Sequence, residues 1–545
     1  MRGSDLIVRI LIESGVKVCF GYPGSAVMPL YDALYRHRRQ IRHIRTAHEQ
    51  GAAHAADGYA RASGKLGVCI ATSGPGATNL VTGIATAFAD SVPVLFITAN
   101  VNLDEIGTDS FQEADIAGIT LPITKYNWTV RSPEKLESTV RKAVLLAMKG
   151  RPGPTLVDVP RDILEYDFGR NYKPGRCQED PDGSEMRSPE PGNPSEETIE
   201  ALAEAVNAAE KPFIIAGGGV RISGAWDELS KLAEKAKIPV ATTLMACGAL
   251  PDGNPLSFGM AGKYGSPVTA QLLKEADTVI CVGMRFSNRT HESLSGGRTI
   301  LHIDSDASEV NKNVTATVSA VGDAKEILAR LLPHVKTRRS LWVKKSETVL
   351  DGAGTFNDPV GETGRRLKKD VFEPVAETLG GDAFVVTDVG LHQMAAARFY
   401  PFVKPGRFVT SGGFGTMGFG LGAAIGASLA SGESGNECRA VLFTGDGSFR
   451  MDLTELSTLR ENGIKILVVV LNNSSLGMVR DIQKNEFGGR YIATDARKAV
   501  PDFRRVAAAY GLSGFTACGP EEFKKALEAF ANGKRSCVID YRMKF

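Results

Sequence analysis

The sequence predicts an α/β protein made of three doubly wound parallel-sheet domains. Three observations carry this. The chain has 545 residues, room for about three or four domains at roughly 100–200 residues each. Three stretches share one texture: a short apolar run, a glycine-rich turn, then a helical pattern. The 59 glycines exceed the usual ~7% without a collagen-like period. They gather at the ends of apolar runs, where backbone must approach a partner closely.

The first unit spans residues 1–166. KLGVCIATSGPGATNLVTGIATAFADSVPVLFITA reads as strand, glycine turn, helix and second strand, and PGPTLVDVP as a buried strand closed by Pro160. Residues 167–198, rich in Pro, Gly and charge, cannot bury a core and read as a linker. The second unit spans 199–335, with strands in KPFIIAGGGV, KIPVATTLMACGAL, ADTVICVGMRF and RTILHIDSD. A second linker covers 336–359. The third unit spans 360–545, with strands in DAFVVTDVG, RAVLFTGDG, KILVVVLNN and SCVIDYRM.

Composition excludes several classes. Lys plus Arg is 64 against 62 for Asp plus Glu, a net charge of +2, so bulk charge does not drive nucleic-acid binding. The basic runs RHRRQIRHIR and KTRRSLWVKK hold a single aromatic between them, too few for a nucleic-acid groove, and read as a solvated helix face or linker. No window reaches the ~18 apolar residues of a membrane span. MRGSDLIVRILIESG lacks the uncharged core of a signal peptide. The eight cysteines are scattered without CxxC, so neither a disulfide scaffold nor a zinc site is expected, and a cytoplasmic location is.

The most informative segment is Gly445-Asp446-Gly447 followed, 24 residues later, by Asn472-Asn473. Apolar VLFT precedes the first element and KILVVVL the second. FRMDLTELSTLRENG between them reads as an amphipathic helix ending at Gly463. Both polar elements thus emerge at the C-terminal ends of parallel strands, where open α/β sheets bind ligands. Asp446 and Asn473 offer hard oxygens suited to Mg²⁺, and the glycines let backbone N–H groups reach phosphate. GDG alone is a common turn; the spacing to NN gives it weight.

This arrangement resembles the thiamine-diphosphate (ThDP) signature. The resemblance implies that Asp446, Asn473 and the Ser475 carbonyl hold the metal. It places Gly447, Ser448, Gly477 and Met478 along the diphosphate, and His392 and Gln393 at its far end. HEQGAAHAADGYARASGKLGVCIATSGPGATNLVTGIATA, in turn, is very similar to the pyrimidine-binding domain of acetohydroxyacid (acetolactate) synthase catalytic subunits. Alone, a Glu in a first helical turn is a common dipole partner, and His48 and His54 are not at HExxH spacing. The resemblance makes Glu49 the cofactor activator, acting on ThDP held by another subunit, so at least a homodimer is implied, or a dimer of dimers. GYPGSAV adds Pro23 and Gly24 to the cofactor site. SGGFGTMGFG adds Gly415, and Met417, which shapes the bound ThDP; the GxGxxG match inside it is discounted as a dinucleotide site.

FQEADIAG resembles the family segment that places Phe111 and Gln112 beside the reacting centre, and GMRFSNR places Arg289 on the acceptor carboxylate. The central unit resembles the family's FAD-binding domain. Arg151, Gly218, Gly219, Thr243, Leu244, Arg285, Asp304 and Asp323 would line a flavin that is structural. The implied activity is decarboxylation of pyruvate and carboligation to a second 2-keto acid, giving 2-acetolactate for branched-chain amino-acid biosynthesis. A small regulatory subunit is a further implied partner.

Several positions depart from the family pattern. Ile482 stands for a Trp that contacts the acceptor side chain. Lys263-Tyr264 replace Met-His. Ser287-Asn288 replace two carboxylates, ANVN (99–102) replaces GQVP, and Ser25 replaces Gly. The chain ends at SCVIDYRMKF without a further tail, so an open site that releases acetaldehyde is an expectation. These departures keep two alternatives open: a related 2-keto acid decarboxylase or carboligase with another acceptor, and an inactive paralogue.

Overall fold

The computed structural model describes residues 1–175, 192–287, 290, 297–343, 358, 360–432 and 440–543. They form three six-stranded sheets, each wholly parallel. The first holds β1 (Val18–Gly21), β2 (Arg42–Arg45), β3 (Gly67–Ala71), β4 (Val94–Asn100), β5 (Tyr126–Thr129) and β6 (Thr155–Pro160), in the order β2-β1-β3-β4-β6-β5. The second holds β7 (Pro212–Ala216), β8 (Val240–Thr242), β9 (Ser257–Met260), β10 (Thr278–Val282), β11 (Thr299–Asp304) and β12 (Val318–Val321), in the order β12-β11-β10-β7-β8-β9. The third holds β13 (Phe384–Thr387), β14 (Phe408–Thr410), β15 (Ala440–Gly445), β16 (Leu467–Asn472), β17 (Ser513–Ala517) and β18 (Cys537–Arg542), in the order β14-β13-β15-β16-β18-β17.

The first and third sheets share one strand order, and the second has the order of dinucleotide-binding folds. Inner strands such as β3 (GVCIA) and β16 (LVVVLN) are buried along their whole length, as a sheet covered by helices on both faces requires. Each sheet has a central switch point where the order reverses: between β1 and β3, between β7 and β10, and between β13 and β15. The loops at those reversals carry the polar and glycine-rich motifs.

One core joins the first and third domains. It runs from Phe20 and Phe96 through Ala56 and Ala423 to Leu442 and Val468. Its centre is a helix pair, Glu49–Ser63 against Gly420–Gly432, packed on small residues. A Cβ on Gly426 would lie 1.9 Å from the Ala55 carbonyl oxygen. Beside the pair, buried Arg61 bridges Asp57 and Asp90 and donates to the Thr410 carbonyl at 2.8 Å. Asp90 also accepts from the backbone N–H of Gly412 and Gly413 at 3.0 and 2.7 Å.

The structure corrects several expected boundaries. Helix Glu196–Ala208 begins inside the first expected linker, and Phe168 and Tyr172 from that linker pack on the first domain. Trp342, expected in the second linker, donates to the Pro212 carbonyl at 2.8 Å. RHRRQIRHIR is divided between a helix end at Arg36 and strand β2; Arg45 pairs with Glu461 of the third domain. The single helix expected after Asp446 is two pieces, Asp446–Phe449 and Leu456–Asn462, joined through a 3-10 turn at Leu453–Glu455. The Asp452 carboxylate breaks it by turning away to accept from Leu421 N–H at 2.8 Å. No helix among the described residues is long and apolar enough to cross a membrane.

Candidate active site

β15 ends at Gly445 and β16 at Asn472, adjacent and parallel, so Asp446 and Asn473 leave the sheet side by side. Asp446 is buried; its Oδ1 accepts from Asn473 N–H at 3.2 Å, and its Oδ2 has no partner. Burial raises its carboxyl above the usual range. A buried carboxylate oxygen without a protein donor is free to ligate a cation. Asn473 Oδ1 accepts from Ser475 N–H at 3.0 Å, and Ser474 between them takes a left-handed φ of 52°, which bends the loop back over the strand end. Its neighbour Asn472 does a different job: Nδ2 donates to buried Asp540 at 2.8 Å.

A cavity of about 390 Å³ opens here, lined by Asp446, Gly447, Ser448, Asn473, Ser475, Gly477, Met478, His392, Gln393, Gly415 and Met417. Every residue that the ThDP resemblance assigned to the metal and diphosphate half is therefore brought together. Ser448 Oγ donates to the Val389 carbonyl at 2.9 Å. His392 is buried, its Nε2 has no partner, and burial lowers its imidazole to about 4, so the ring is neutral at physiological pH. Gln393 anchors the wall, donating to Thr410 Oγ1 at 2.7 Å and the Ser411 carbonyl at 3.1 Å. Gly415 has a φ of 70°, a turn that carries the segment to Met417. Asp388, which the sequence reading missed, fixes that segment: its carboxylate accepts from Gly418 and Gly420 N–H at 3.0 and 3.3 Å. Its signal was an acid directly after the apolar run FVVT. Ile482, on helix Gly477–Glu486, lines the cavity and is 36% exposed.

The other half of the expected site lies on the first domain. Pro23 and Gly24 follow β1, and Glu49 opens the helix after β2. Glu49 is buried, and Asn79 Nδ2 donates to its Oε2 at 3.0 Å. Asn79 was also missed, since nothing local marks it. Gly76 keeps the space beside Oε1, where a Cβ would come within 3.2 Å. Phe111 is 85% exposed, and Gln112 takes a φ of 62° against Gly74. None of Pro23, Gly24, Glu49, Phe111 or Gln112 lines the cavity of its own chain. The departure ANVN has a local account: Asn100 Nδ2 donates to buried Asp158 at 2.7 Å.

A second cavity, about 440 Å³, lies at the reversal between β7 and β10. Arg151, Gly218, Gly219, Thr243, Leu244, Arg285, Asp304 and Asp323 all line it, with Lys263 and Tyr264. Gly219 and Gly283 meet here, a Cβ on Gly283 reaching 2.6 Å from the Gly219 Cα. Arg151 pairs with Asp306 and Glu309. Arg285 donates to the Ala89 carbonyl, and Asp323 caps helix Ala324–Leu331. Asn288 and Arg289 lie outside the described residues.

Comparisons with known proteins agree along the chain. Family models of thiamine pyrophosphate enzymes match in three places: the N-terminal TPP binding domain over residues 1–119, the central domain over 199–331 and the C-terminal TPP binding domain over 388–541. The probable acetolactate synthase large subunit of Methanocaldococcus jannaschii is 41% identical over 556 residues, covering 99% of this chain and 91% of that protein. The acetolactate synthase of Arthrospira platensis is 40% identical, covering 100% and 94%. The acetolactate synthase isozyme 3 large subunit of Escherichia coli K12 is 39% identical, covering 98% and 93%. The chain belongs to the acetolactate synthase large-subunit family of thiamine-diphosphate-dependent enzymes.

Proposed function

We propose that this chain decarboxylates pyruvate and joins the two-carbon fragment to a second 2-keto acid, making 2-acetolactate when that acid is also pyruvate. The carrying observation is the convergence of the metal and diphosphate residues on one cavity around the unpartnered Asp446 Oδ2. Asp446, Asn473 Oδ1 and the Ser475 carbonyl would hold Mg²⁺, a set of hard oxygens that fits it. ThDP, when bound, supplies a nucleophilic carbon that adds to the keto group and takes up the electron pair freed with CO₂. Glu49 holds a proton at the aminopyrimidine ring nitrogen, oriented by Asn79. Met417 would support the cofactor's shape, and neutral His392 would offer it a hydrogen bond without a second positive charge. Phe111 and Gln112 flank the reacting carbon, Arg289 takes the acceptor carboxylate, and Ile482 forms the apolar wall for its side chain.

The site is completed by a second copy. Glu49 and exposed Phe111 lie outside their own chain's cavity, whose surroundings carry exposed Phe414, Val479 and Ile492. A homodimer brings these together, and a dimer of dimers extends it. A small regulatory subunit is a further partner, in line with the large-subunit names of the relatives. FAD fits the second cavity, where close glycine backbones and Arg151, Arg221, Arg285 and Lys312 would receive a dinucleotide.

The test is a product analysis. The chain is incubated with ThDP, Mg²⁺, FAD and pyruvate, and CO₂, acetaldehyde and acetolactate are quantified. One CO₂ and one acetolactate for every two pyruvates are expected. Free acetaldehyde in place of acetolactate contradicts the carboligation.

A further inference from the structure

We infer that Glu455 is a positioning residue for Glu49: it fixes the backbone turn from which the activating carboxylate projects. The inference rests on the reading of Glu49 given above. Glu455 is 1% exposed and lies on the connection that follows Asp446 in the third domain. Its partners lie across the domain boundary. Oε2 accepts from Ala47 N–H at 3.1 Å, and Oε1 accepts from His48 N–H at 3.1 Å. Thr458 Oγ1 donates to Oε2 at 2.6 Å. Ala47 and His48 are the two residues immediately before Glu49. On the other side of Oε1 lies Gly51, where a Cβ would come within 2.1 Å. The carboxylate is thus wedged between the chain entering the helix and the helix's own first turn. Within the same turn, His48 Nδ1 accepts from Gln50 N–H at 3.1 Å.

A carboxylate is a costly group to bury merely to fill space between domains. Three donors compensate it, and two of them belong to the Glu49 turn. A negative charge at this end of the helix also suits its dipole. Asn79 then sets the side chain, while Glu455 sets the backbone beneath it. In the two-copy arrangement, Glu49 serves the cavity of the partner, whereas Asp446 serves the chain's own. Glu455 therefore links the metal half of one site to the activator of the other through a single side chain.

The test compares E455Q, E455A, G51A, the double variant G51A/E455A and E49Q as holoenzymes. Steady-state kinetics and ThDP affinity with Mg²⁺ are measured, and backbone hydrogen exchange is followed at residues 46–50. E455Q keeps the volume but turns an NH₂ toward a backbone N–H. Faster exchange at Ala47 and His48 is expected, with kcat down about ten- to a hundredfold. The KM for pyruvate and the Kd for ThDP should stay within about twofold. G51A should reproduce this effect by pushing the carboxylate out. G51A/E455A should be no worse than E455A, because the colliding group is gone. Unchanged exchange at Ala47 and His48, or faster exchange with unchanged kcat, overturns the positioning role. So does a parallel loss of kcat and ThDP affinity, the mark of a merely structural residue. E49Q separates the two claims: an active E49Q sinks the reading of Glu49 itself. An inactive E49Q beside a fully active E455Q sinks only the positioning role.

Discussion

Asp446, Asn472 and Asn473 show how three adjacent polar groups divide their work. Asp446 keeps Oδ2 without a partner and Asn473 shapes the loop, whereas Asn472 satisfies Asp540. D446A should therefore weaken Mg²⁺-dependent ThDP binding by at least about a hundredfold while leaving the melting temperature of the free protein near its starting value. Titration calorimetry checks this. N472A should do the reverse, destabilising by about 1–3 kcal/mol because Asp540 loses its amide donor in the interior; urea unfolding reads it. At the cavity wall, I482W should raise the preference for 2-ketobutyrate over pyruvate as acceptor by up to about a hundredfold, the most that one methylene contact supports. An unchanged product ratio in a two-acid competition would place the acceptor elsewhere. Asp446 and Asn473 were legible because each leaves the end of an apolar strand. Asn79 was not, because its partner comes near only through the fold: it reaches Glu49 across a helix and a strand. Asp388 also follows an apolar strand, but no second polar motif at a fixed spacing marks it.

Among the elements, the helix pair Glu49–Ser63 and Gly420–Gly432 sets the relation of the first and third domains. Its contact surface is built from Gly and Ala, so it has no room for growth. G426A should cost about 1–3 kcal/mol as overpacking and shift the unfolding midpoint without touching a site residue. A neutral effect would mean that the helices slide apart easily. The strands divide in the same physical way. Those visible in the sequence are inner strands, buried on both faces and therefore continuously apolar. Those missed are β1 and the edge strands β2, β5, β9, β12, β14 and β17. Several of these are only partly buried, such as β5 and β12, and β14 has only three residues. An edge strand shares fewer neighbours, so its sequence carries less apolar signal. The expected single helix after Asp446 failed for a different reason. Its periodicity was real, but Asp452 and Glu455 are drawn off to backbone donors of other elements, which no local pattern records.

For the whole molecule, buried neutral histidines contribute to acid sensitivity. Burial lowers His43 to about 4 and His54 to about 3, and the His43 Nε2 has no partner. Both folded values lie below the ~6.5 of an unfolded histidine. The stability they contribute is complete above ~6.5 and is lost as pH falls toward the folded values. Urea melts should show H43F losing less stability than the starting chain as pH falls over that range; an unchanged difference between the two contradicts the assignment. The larger claim is that two copies build each site, Glu49 from one and Asp446 from the other, and that the assembled site makes acetolactate. Co-expression of E49Q with D446A tests it most directly. Each variant alone should form no acetolactate. In a mixed dimer one site carries both lesions and the other carries neither, so random pairing should restore about a quarter of the starting activity. Acetolactate formation that stays at the level of the single variants would contradict the account, because it would place Glu49 and Asp446 of one chain in the same site.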